Sequence, residues 1–580
     1  MIDRAHCGGP MSLEDDFAGP ATASEARMLF NSPEFVVFFL LVYCMYLVLP
    51  FRPQNYMLVV ASYTFYGWWD VRFLFLVVLS TTIDFWVGLM IENGRLRLRQ
   101  WLVPALFLML SAIGFLGLDW AGVYPPGRGG PDLGELFKPS MIGWSFAGSV
   151  AFVAFISLIF LVLGRVEEAE RRRLGCLMVS IITQLGLLAV FKYFNFFADS
   201  LSVALAGIGI QSSSFHLNIV LPVGISFYTF QSLSYTIDIY RGQFKPTNRF
   251  SDFALFVAYF PQLQAGPIER ARQIIPQLSR PRQIDMDQIS RGLFLIVIGF
   301  FKKIAIADGV SPVVDQIFNS SGRITWIDVI AGTVLFAVQI YCDFSGYTDI
   351  ARGISKLFGI NMVVNFNLPY FSTNPQDFWR RWHISLSSWL RDYLYVPLGG
   401  NHGNLAFVCR NLMITMLLGG LWHGAAWNFV LWGLYQGGAL CIYRIWSHYR
   451  RKEPLGQHTE PKSTVMRVVR HFAAIAVFFV VTCYGWLLFR AHSLAQIVEF
   501  SSLLVRDFGN LDYGGGTPRL SSTVGMGLLF VMELLQYWKG DSYYYLRFPV
   551  PIRGFLIAAM IAITMMGMSN EPAQFIYFQF

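Results

Sequence analysis

Long apolar runs constrain this chain more than any other feature. A helix needs about 20 mainly apolar residues to cross a bilayer and the longest runs can cross twice, so we expect roughly 11 to 14 transmembrane helices. A transmembrane barrel would instead show short alternating segments, and the spans are therefore predicted to be helical. The apolar runs cover residues 35–50, 56–91, 101–118, 146–164, 174–197, 217–240, 252–265, 291–307, 327–345, 405–443, 471–489, 521–538 and 553–568.

Composition supports the same prediction. Of the 580 residues, 55% are hydrophobic and 14% are charged, whereas a typical soluble domain is about 25% charged. We therefore predict an all-α, polytopic integral membrane protein whose main environment is the lipid bilayer. The net charge of +8 reflects basic loops rather than a nucleic-acid partner. Basic clusters that are candidates for cytoplasmic loops, or alternatively for ordinary solvated faces, occur at 95–99, 171–173, 270–282 and 444–452.

Polar segments suggest the domain organisation. Residues 1–27 are mixed and acidic without an apolar core, and we expect them to form a disordered tail. Residues 28–580 are predicted to form a single membrane domain with its catalytic core around 217–443. Residues 119–140 are rich in glycine and proline, which do not continue a helix, so this stretch is predicted to be a loop outside the membrane.

One histidine, His423, lies in the middle of membrane-like sequence, within the charge-free residues 411–443. An ionisable side chain is costly there and by default marks function. Residues 406–418 are short for a crossing and are predicted to be re-entrant, whereas 421–443 are long enough to cross. His423 is then expected at the mouth of a crossing helix, beside a glycine break that lines a cavity. The alternative is a histidine that only forms a hydrogen bond between helices.

A second histidine, His383, lies in a segment that is too polar to cross a bilayer. Asn374 can cap a helix whose first residue is Pro375, and we expect that helix to continue to about Tyr393. Arginine can grip a phosphate with paired donors, so the arginines of this segment are candidate ligands for a phosphorylated donor. Alternatively they reach toward lipid headgroups or pair with nearby carboxylates. The arginines are Arg380, Arg381 and Arg391.

Both histidines suggest proton transfer. A buried histidine favours its neutral form, which is a competent general base near neutral pH and can take a proton from a hydroxyl group. A metal site formed by His383, His423 and a carboxylate is an alternative, but the chain has no HExxH or similar ligand spacing. We therefore predict neither a metal nor a permanently bound cofactor.

Two apolar runs carry polar side chains and favour rival functions. The segments 217–240 and 335–352 contain serine, threonine, glutamine, tyrosine and aspartate residues, which line a protein interior or a wet cavity rather than lipid. The main rival is a transporter or flippase of a glycan or a small anion. A third interpretation is a non-catalytic scaffold for polysaccharide export.

Five motifs follow one another along the chain. They are LPVGISFYTF at 221–230, AGP at 265–267, DFSGYTD at 343–349, the stretch 365–401, and GGLWHG at 419–424. A single WHG is weakly specific, but the ordered series is very specific. In these motifs the chain resembles the membrane-bound O-acyltransferases, and within them the bacterial branch typified by the alginate O-acetyltransferase membrane subunit. The resemblance runs from about residue 28 to the end, with extra sequence around 100–165.

The resemblance implies a helical fold that encloses a channel through the membrane, with His423 matching the catalytic histidine of the family and His383 its second histidine. It also implies cytoplasmic acetyl-CoA as donor and passage of the acetyl group across the bacterial inner membrane. The acceptor would be an extracytoplasmic polysaccharide such as alginate, reached through a periplasmic partner of the SGNH type. We expect His423 to act as general base, while His383 orients a reactant or stabilises the oxyanion.

Overall fold

The computed structural model describes residues 28–120, 136–210, 216–217, 219–263, 266–320, 322–452, 463–541, 543–569 and 575–576. The predicted tail 1–27, and most of the predicted loop at 119–140, lie outside these residues. The described chain forms α-helices with short π- and 3-10 segments, and the predicted all-α class is confirmed.

The α-helices follow in chain order. They are α1 Pro33–Val48, α2 Phe51–Gly67, α3 Phe73–Asn93, α4 Leu98–Leu116, α5 Pro139–Gly164, α6 Ala169–Leu188, α7 Phe194–Gly207, α8 Ile225–Tyr240, α9 Phe250–Ala258, α10 Phe260–Leu263, α11 Ala271–Leu278, α12 Met286–Phe300, α13 Asp308–Phe318, α14 Trp326–Leu357, α15 Pro375–Arg381, α16 Ile384–Leu390, α17 Leu405–His423, α18 Trp427–Lys452, α19 Thr464–Arg490, α20 Leu494–Arg506, α21 Leu520–Lys539 and α22 Val550–Gly567. The short segments include the π-helices Ala189–Tyr193, Phe301–Ala307 and Arg391–Tyr395, and the 3-10 turn Pro369–Phe371.

Among the described residues, nine helical segments are long and apolar enough to cross a membrane. They differ in how much of their surface the protein covers: α3 and α14 are mostly buried, whereas α5 and α22 are mostly exposed. Since all of them have apolar sequences, the exposed helices are those that face lipid. Helix α8, which carries more polar side chains, is buried along most of its length. The interior of the bundle therefore contains the polar segments.

Glycine pairs bring α12 and α14 into close contact at the centre. A side chain at Gly299 would lie 2.6 Å from the carbonyl oxygen of Gly346, and one at Gly353 would lie 2.6 Å from that of Gly292. The two pairs are seven residues apart on each helix, so the same faces meet along two turns. Small residues let backbones approach closely where lipid offers no hydrophobic drive for association.

Contacts connect residues in or beside the four basic clusters predicted from sequence, and the connected region is hereafter called the basic face. A side chain at Gly94, beside the first cluster, would contact Arg172, and Arg173 donates to the carbonyl oxygen of Tyr240 (2.7 Å). The next residue, Arg241, donates to the carbonyl oxygen of Asp392 (3.0 Å). Two further pairs complete the connection: Arg270 pairs with Asp392, and Arg391 lines a cavity together with Arg444.

Two predictions about local structure were wrong. The helix that begins at Pro375 ends at Arg381 rather than near Tyr393, because Trp382 is extended and His383 adopts a left-handed conformation (φ +42°). The second concerns residues 406–418, which are not a separate re-entrant segment: α17 continues through both glycines to His423. His423 therefore ends the first helix instead of opening the second.

The glycines of α17 serve packing. A side chain at Gly420 would lie 2.2 Å from the carbonyl oxygen of Phe429, and one at Gly433 would lie 2.5 Å from that of Met416. Helices α17 and α18 thus approach each other backbone to backbone, which their glycines permit without a break in either helix. This close packing places the end of α17, with His423, against the first turns of α18.

Candidate active site

His423 is held at the carboxyl end of α17. Gly424 is extended and ends the helix, so the carbonyl groups of the last turn have no partner in the next turn. Two consecutive residues of the π-helix Ala189–Tyr193 supply partners: the Tyr193 hydroxyl donates to the carbonyl oxygen of Leu421 (3.1 Å), and the Lys192 ammonium to those of Trp422 (2.8 Å) and His423 (3.0 Å). A positive charge at this end also complements the helix dipole.

Aromatic rings surround the His423 side chain, which is 5% exposed. Its ring centroid lies 5.0 Å from Trp422, 5.0 Å from Trp432 and 5.3 Å from Phe489, each nearly perpendicular to it. The three rings come from α17, α18 and α19. Because edge-to-face packing favours one orientation of each ring, three separate helices fix the imidazole in place.

His383 lies at the break between α15 and α16 and is fully buried. Its Nδ1 lies 3.2 Å from the Asn365 side-chain oxygen. The same oxygen accepts hydrogen bonds from the Ser385 backbone N–H (3.2 Å) and hydroxyl (2.9 Å), so Nδ1 must donate to it. In the neutral ring Nδ1 therefore carries the proton, and Nε2 presents a lone pair. Burial lowers the pKa of His383 to about 3, which keeps the ring neutral at physiological pH.

A second segment supports this arrangement from behind. Ile268, which directly follows the AGP motif, donates its backbone N–H to the Ser385 hydroxyl (3.0 Å). Glu269, fully buried, accepts a hydrogen bond from the backbone N–H of Val363 (2.7 Å). The loop that carries Asn365 is thus anchored to the residues that directly follow the AGP motif. Four of the five sequence motifs meet at His383, because Phe227, Phe344 and Trp422 from three other motifs contact its ring.

The structure brings the two histidines together across one indole ring. Trp422 lies 6.0 Å from His383 and 5.0 Å from His423, measured between ring centroids. The sequence showed that the two histidines lie in two different kinds of segment, but it did not predict that they come close together. Their convergence follows from the inward fold of the segment 361–404, which returns toward the end of α17.

A cavity of about 490 Å³ is lined by arginines of the basic face and by residues near this pair. Its inner wall is apolar, and Ile384 in that wall directly follows His383. Another wall residue, Trp379, contacts Trp432 (5.9 Å between ring centroids), which in turn contacts His423. Three guanidinium groups lie among its polar lining, those of Arg380, Arg391 and Arg444. The cavity therefore combines cations with apolar residues, one of which adjoins His383 in the chain while another reaches His423 through Trp432. It is hereafter called the donor cavity, after the role that the sequence predicts for its arginines.

The predicted phosphate-binding arginines divide into two groups. Arg380 and Arg391 line the donor cavity, as a donor-binding role requires. Arg381 does not line it: its guanidinium pairs with Asp377 (2.9 Å) and donates to the carbonyl oxygen of Asn367 (3.4 Å). The alternative prediction, pairing with a neighbouring carboxylate, describes Arg381 and also Arg391, which pairs with Asp392 (2.8 Å). The structure adds Arg444 to the cavity.

Sequence reasoning missed Lys192, Tyr193 and Asn365. A signal existed for Lys192, which is the one charged residue within the apolar run 174–197 and which the rule for ionisable membrane residues would have singled out. Asn365 offered no such signal, because its role depends on a contact across 18 residues. Within the described part of the chain, no group of three or more His, Cys, Asp or Glu side chains is arranged to hold a metal ion.

Comparison with known proteins shows which family has this sequence pattern. A family model described as the membrane-bound O-acyltransferase family matches residues 248–486. A probable alginate O-acetylase of Azotobacter vinelandii is 36% identical over 468 residues, which cover 80% of this chain and 76% of that protein. The chain belongs to the membrane-bound O-acyltransferase family. It is therefore a multi-pass membrane O-acyltransferase, and the resemblance predicted from the five motifs is confirmed.

Two further relatives of this acyltransferase carry other names. A peptidoglycan O-acetyltransferase of Helicobacter pylori is 34% identical over 432 residues, covering 68% of this chain and 78% of that protein. A teichoic acid D-alanyltransferase of Bacillus subtilis is 28% identical over 288 residues, covering 47% of this chain and 69% of that protein. According to their names, the relatives described here act on three different polymers, which are alginate, peptidoglycan and teichoic acid.

Proposed function

We propose that this acyltransferase takes an acetyl group from cytoplasmic acetyl-CoA and passes it across the bacterial inner membrane to an extracytoplasmic polysaccharide such as alginate. The observation that carries the proposal is the donor cavity, which combines three arginines with apolar residues that adjoin His383 in the chain and reach His423 through Trp432. A phosphorylated carrier with a slender acyl arm has the matching chemistry: its phosphates suit arginine, and its arm suits the apolar wall.

Charge distribution supports a cytoplasmic donor. The four basic clusters share the face on which the donor cavity opens. Cytoplasmic segments of membrane proteins carry an excess of lysine and arginine, so this face corresponds to the cytoplasm. His423 lies at the carboxyl end of α17, about two turns beyond the cavity-lining Met416, and in this proposal an acceptor arriving from the other side of the membrane meets it there.

The histidines have distinct roles in the proposed reaction. His423 acts as the general base that removes the proton from the acceptor hydroxyl, whose oxygen then attacks the thioester carbonyl. The carbon–sulfur bond breaks, and the coenzyme A thiolate leaves with the proton that the imidazolium returns. In the neutral His383 ring the proton is on Nδ1, so Nε2 can accept a hydrogen bond but cannot donate one to an oxyanion. Of the two roles expected for His383, the geometry thus favours orientation of a hydroxyl-bearing reactant.

A vesicle assay tests the proposal. The purified protein is reconstituted with labelled acetyl-CoA and the polysaccharide, with and without a periplasmic SGNH-type partner. Acceptor-dependent cleavage of the thioester is expected, and acetylated polymer is expected only when the partner is present. A positioned general base contributes about 10² to 10⁴ in rate, and His423→Ala should lower cleavage by that factor. His471→Ala is the matched control, since His471 is exposed and bonds to Tyr537.

Two results would refute the proposal. Movement of a labelled glycan or anion across the vesicle membrane without thioester cleavage would identify a transporter or flippase. Full activity of His423→Ala in cells that make the acetylated polymer would indicate that the chain acts as a non-catalytic scaffold.

A further inference from the structure

A second cavity of about 290 Å³ lies on the basic face beside the donor cavity. Three arginines line it: Arg241 at the end of α8, Arg272 in α11, and Arg391 in the π-helix Arg391–Tyr395. Arg391 also lines the donor cavity. Arg391 thus belongs to the linings of both cavities, which are therefore neighbours.

The cations of this cavity are held in position by neutral groups as well as by carboxylates. The Arg241 guanidinium donates to the Asp392 carbonyl oxygen (3.0 Å) and lies 5.3 Å from the ring centroid of Tyr393. Arg270 lies 4.4 Å from that ring. The Tyr393 hydroxyl donates to Asp238 (2.6 Å), which fixes the ring. Two arginines are therefore ordered against one tyrosine before any ligand arrives.

Positive charge predominates around the cavity. Four guanidinium groups, including that of Arg270, surround two carboxylates, Asp238 and Asp392. Arg391 pairs with Asp392 through the Nε atom of its guanidinium group (2.8 Å). Arg241 donates to the Asp392 carbonyl oxygen through one of its two terminal nitrogens. Planar guanidinium groups bind phosphate through paired donors, so the cavity suits a ligand with several phosphate oxygens.

We propose that this second cavity binds the phosphorylated nucleotide end of acyl-coenzyme A, while the acyl-pantetheine arm occupies the donor cavity. The inference rests on the proposed function and specifies the donor further. A carrier protein presents the same arm on a single phosphate without a nucleotide, and would leave the second cavity unused. The two cavities together therefore favour a coenzyme A thioester over a carrier-protein thioester.

Truncated donors combined with arginine substitutions test the assignment. Rates of acceptor-dependent cleavage are measured in proteoliposomes with acetyl-CoA, acetyl-3′-dephospho-CoA and acetyl-pantetheine, for the wild type and for Arg241→Gln/Arg272→Gln. Each lost contact between an arginine and a phosphate is worth about tenfold. The preference for acetyl-CoA over acetyl-pantetheine, as the ratio of kcat/KM values, is expected to fall by about 10- to 100-fold in the double variant, mainly through KM.

The matched control is Arg95→Gln/Arg99→Gln, which removes two exposed arginines of the basic face that line neither cavity. It should keep the wild-type preference. An equal loss of preference in the control would show that the effect comes from general surface charge, and would refute the second cavity as the nucleotide site. An unchanged preference in Arg241→Gln/Arg272→Gln would also overturn it, even though acetyl-CoA remains a donor. Failure of the wild type to cleave acetyl-CoA while it cleaves an acetylated carrier protein would instead refute the donor in the proposed function.

Discussion

Asn365 should control the reactivity of His383 without touching a substrate. Its side-chain oxygen accepts three hydrogen bonds, from His383 Nδ1 (3.2 Å), the Ser385 N–H (3.2 Å) and the Ser385 hydroxyl (2.9 Å). In Asn365→Ala the hydroxyl can rotate to another acceptor, but the other two donors remain buried without this partner. Each such donor costs about 1–3 kcal/mol, so the variant should lose about 2–6 kcal/mol of folding stability.

The catalytic effect has a different cause. Without Asn365 the imidazole can turn or place its proton on Nε2, and only part of the population then presents the lone pair. Loss of an outer partner that orients a functional histidine typically costs about 10- to 100-fold, and we expect that loss in the rate of acceptor-dependent acetyl-CoA cleavage. The rate is measured in proteoliposomes at saturating donor, on protein that elutes as folded material.

Two variants separate orientation from stability. Asn365→Asp keeps an acceptor for Nδ1 but adds a carboxylate that favours the imidazolium, so activity should be lost at a higher pH than in the wild type as pH falls. Asn374→Ala removes the cap of α15, whose side chain accepts from the Asp377 N–H (2.9 Å), at a cost of about 1 kcal/mol. It should leave the pH profile unchanged. A wild-type rate and pH profile in Asn365→Ala would refute the role of Asn365.

Three further predictions follow from the same geometry. Lys192→Met should lower kcat at least tenfold with little change in KM for acetyl-CoA, because two charge-assisted hydrogen bonds to the end of α17 are lost. Lys192→Arg should partly restore kcat in the same assay, and failure to do so would contradict this role. Gly420→Ala should destabilise the protein by several kcal/mol, since its Cβ would lie 2.2 Å from the Phe429 carbonyl oxygen. Gly438→Ala is the control, because a Cβ there meets nothing within 4 Å. Thermal unfolding in detergent compares the two variants. Burial raises the pKa of Glu269 to about 8, so its contribution to stability is present below about pH 4.5 and is lost as pH rises toward 8. Glu269→Gln should therefore flatten the decline in unfolding temperature between pH 5 and 8.5, and an equal decline would contradict this.

Features that depend on nearby residues were predicted well. Hydropathy gave the helical membrane class, since each span carries its own signal over about 20 residues. The N-cap at Asn374 was also predicted correctly, because a cap and its partner lie three residues apart. His423 was recognised as a candidate catalytic residue from its isolation in an apolar run, and its role as a base stays a prediction.

Features set by distant contacts were predicted poorly. Local propensity favours one helix from Pro375 to Tyr393, but the chain breaks where the segment contacts residues 365–367. Gly419 and Gly420 suggested a break in α17, yet both are packing residues: Gly419 faces Leu390 of α16, and Gly420 faces Phe429 and Gly433 of α18. In each case the decisive partner lies at least nine residues away, where neither spacing nor propensity carries information.

The break at His383 explains why the second histidine needs so much support. A non-glycine residue at φ +42° costs about 1–3 kcal/mol, and the surrounding structure must offset that cost. It does so on both sides of His383: Asn367 donates its backbone N–H to the Arg381 carbonyl oxygen (2.9 Å), and Ile384 donates to that of Asn365 (2.9 Å). A continuous helix would keep the normal conformation, but it would separate His383 from the Asn365 oxygen that assigns its proton. Strain at this residue is therefore the structural requirement for a fixed lone pair beside Trp422 and His423.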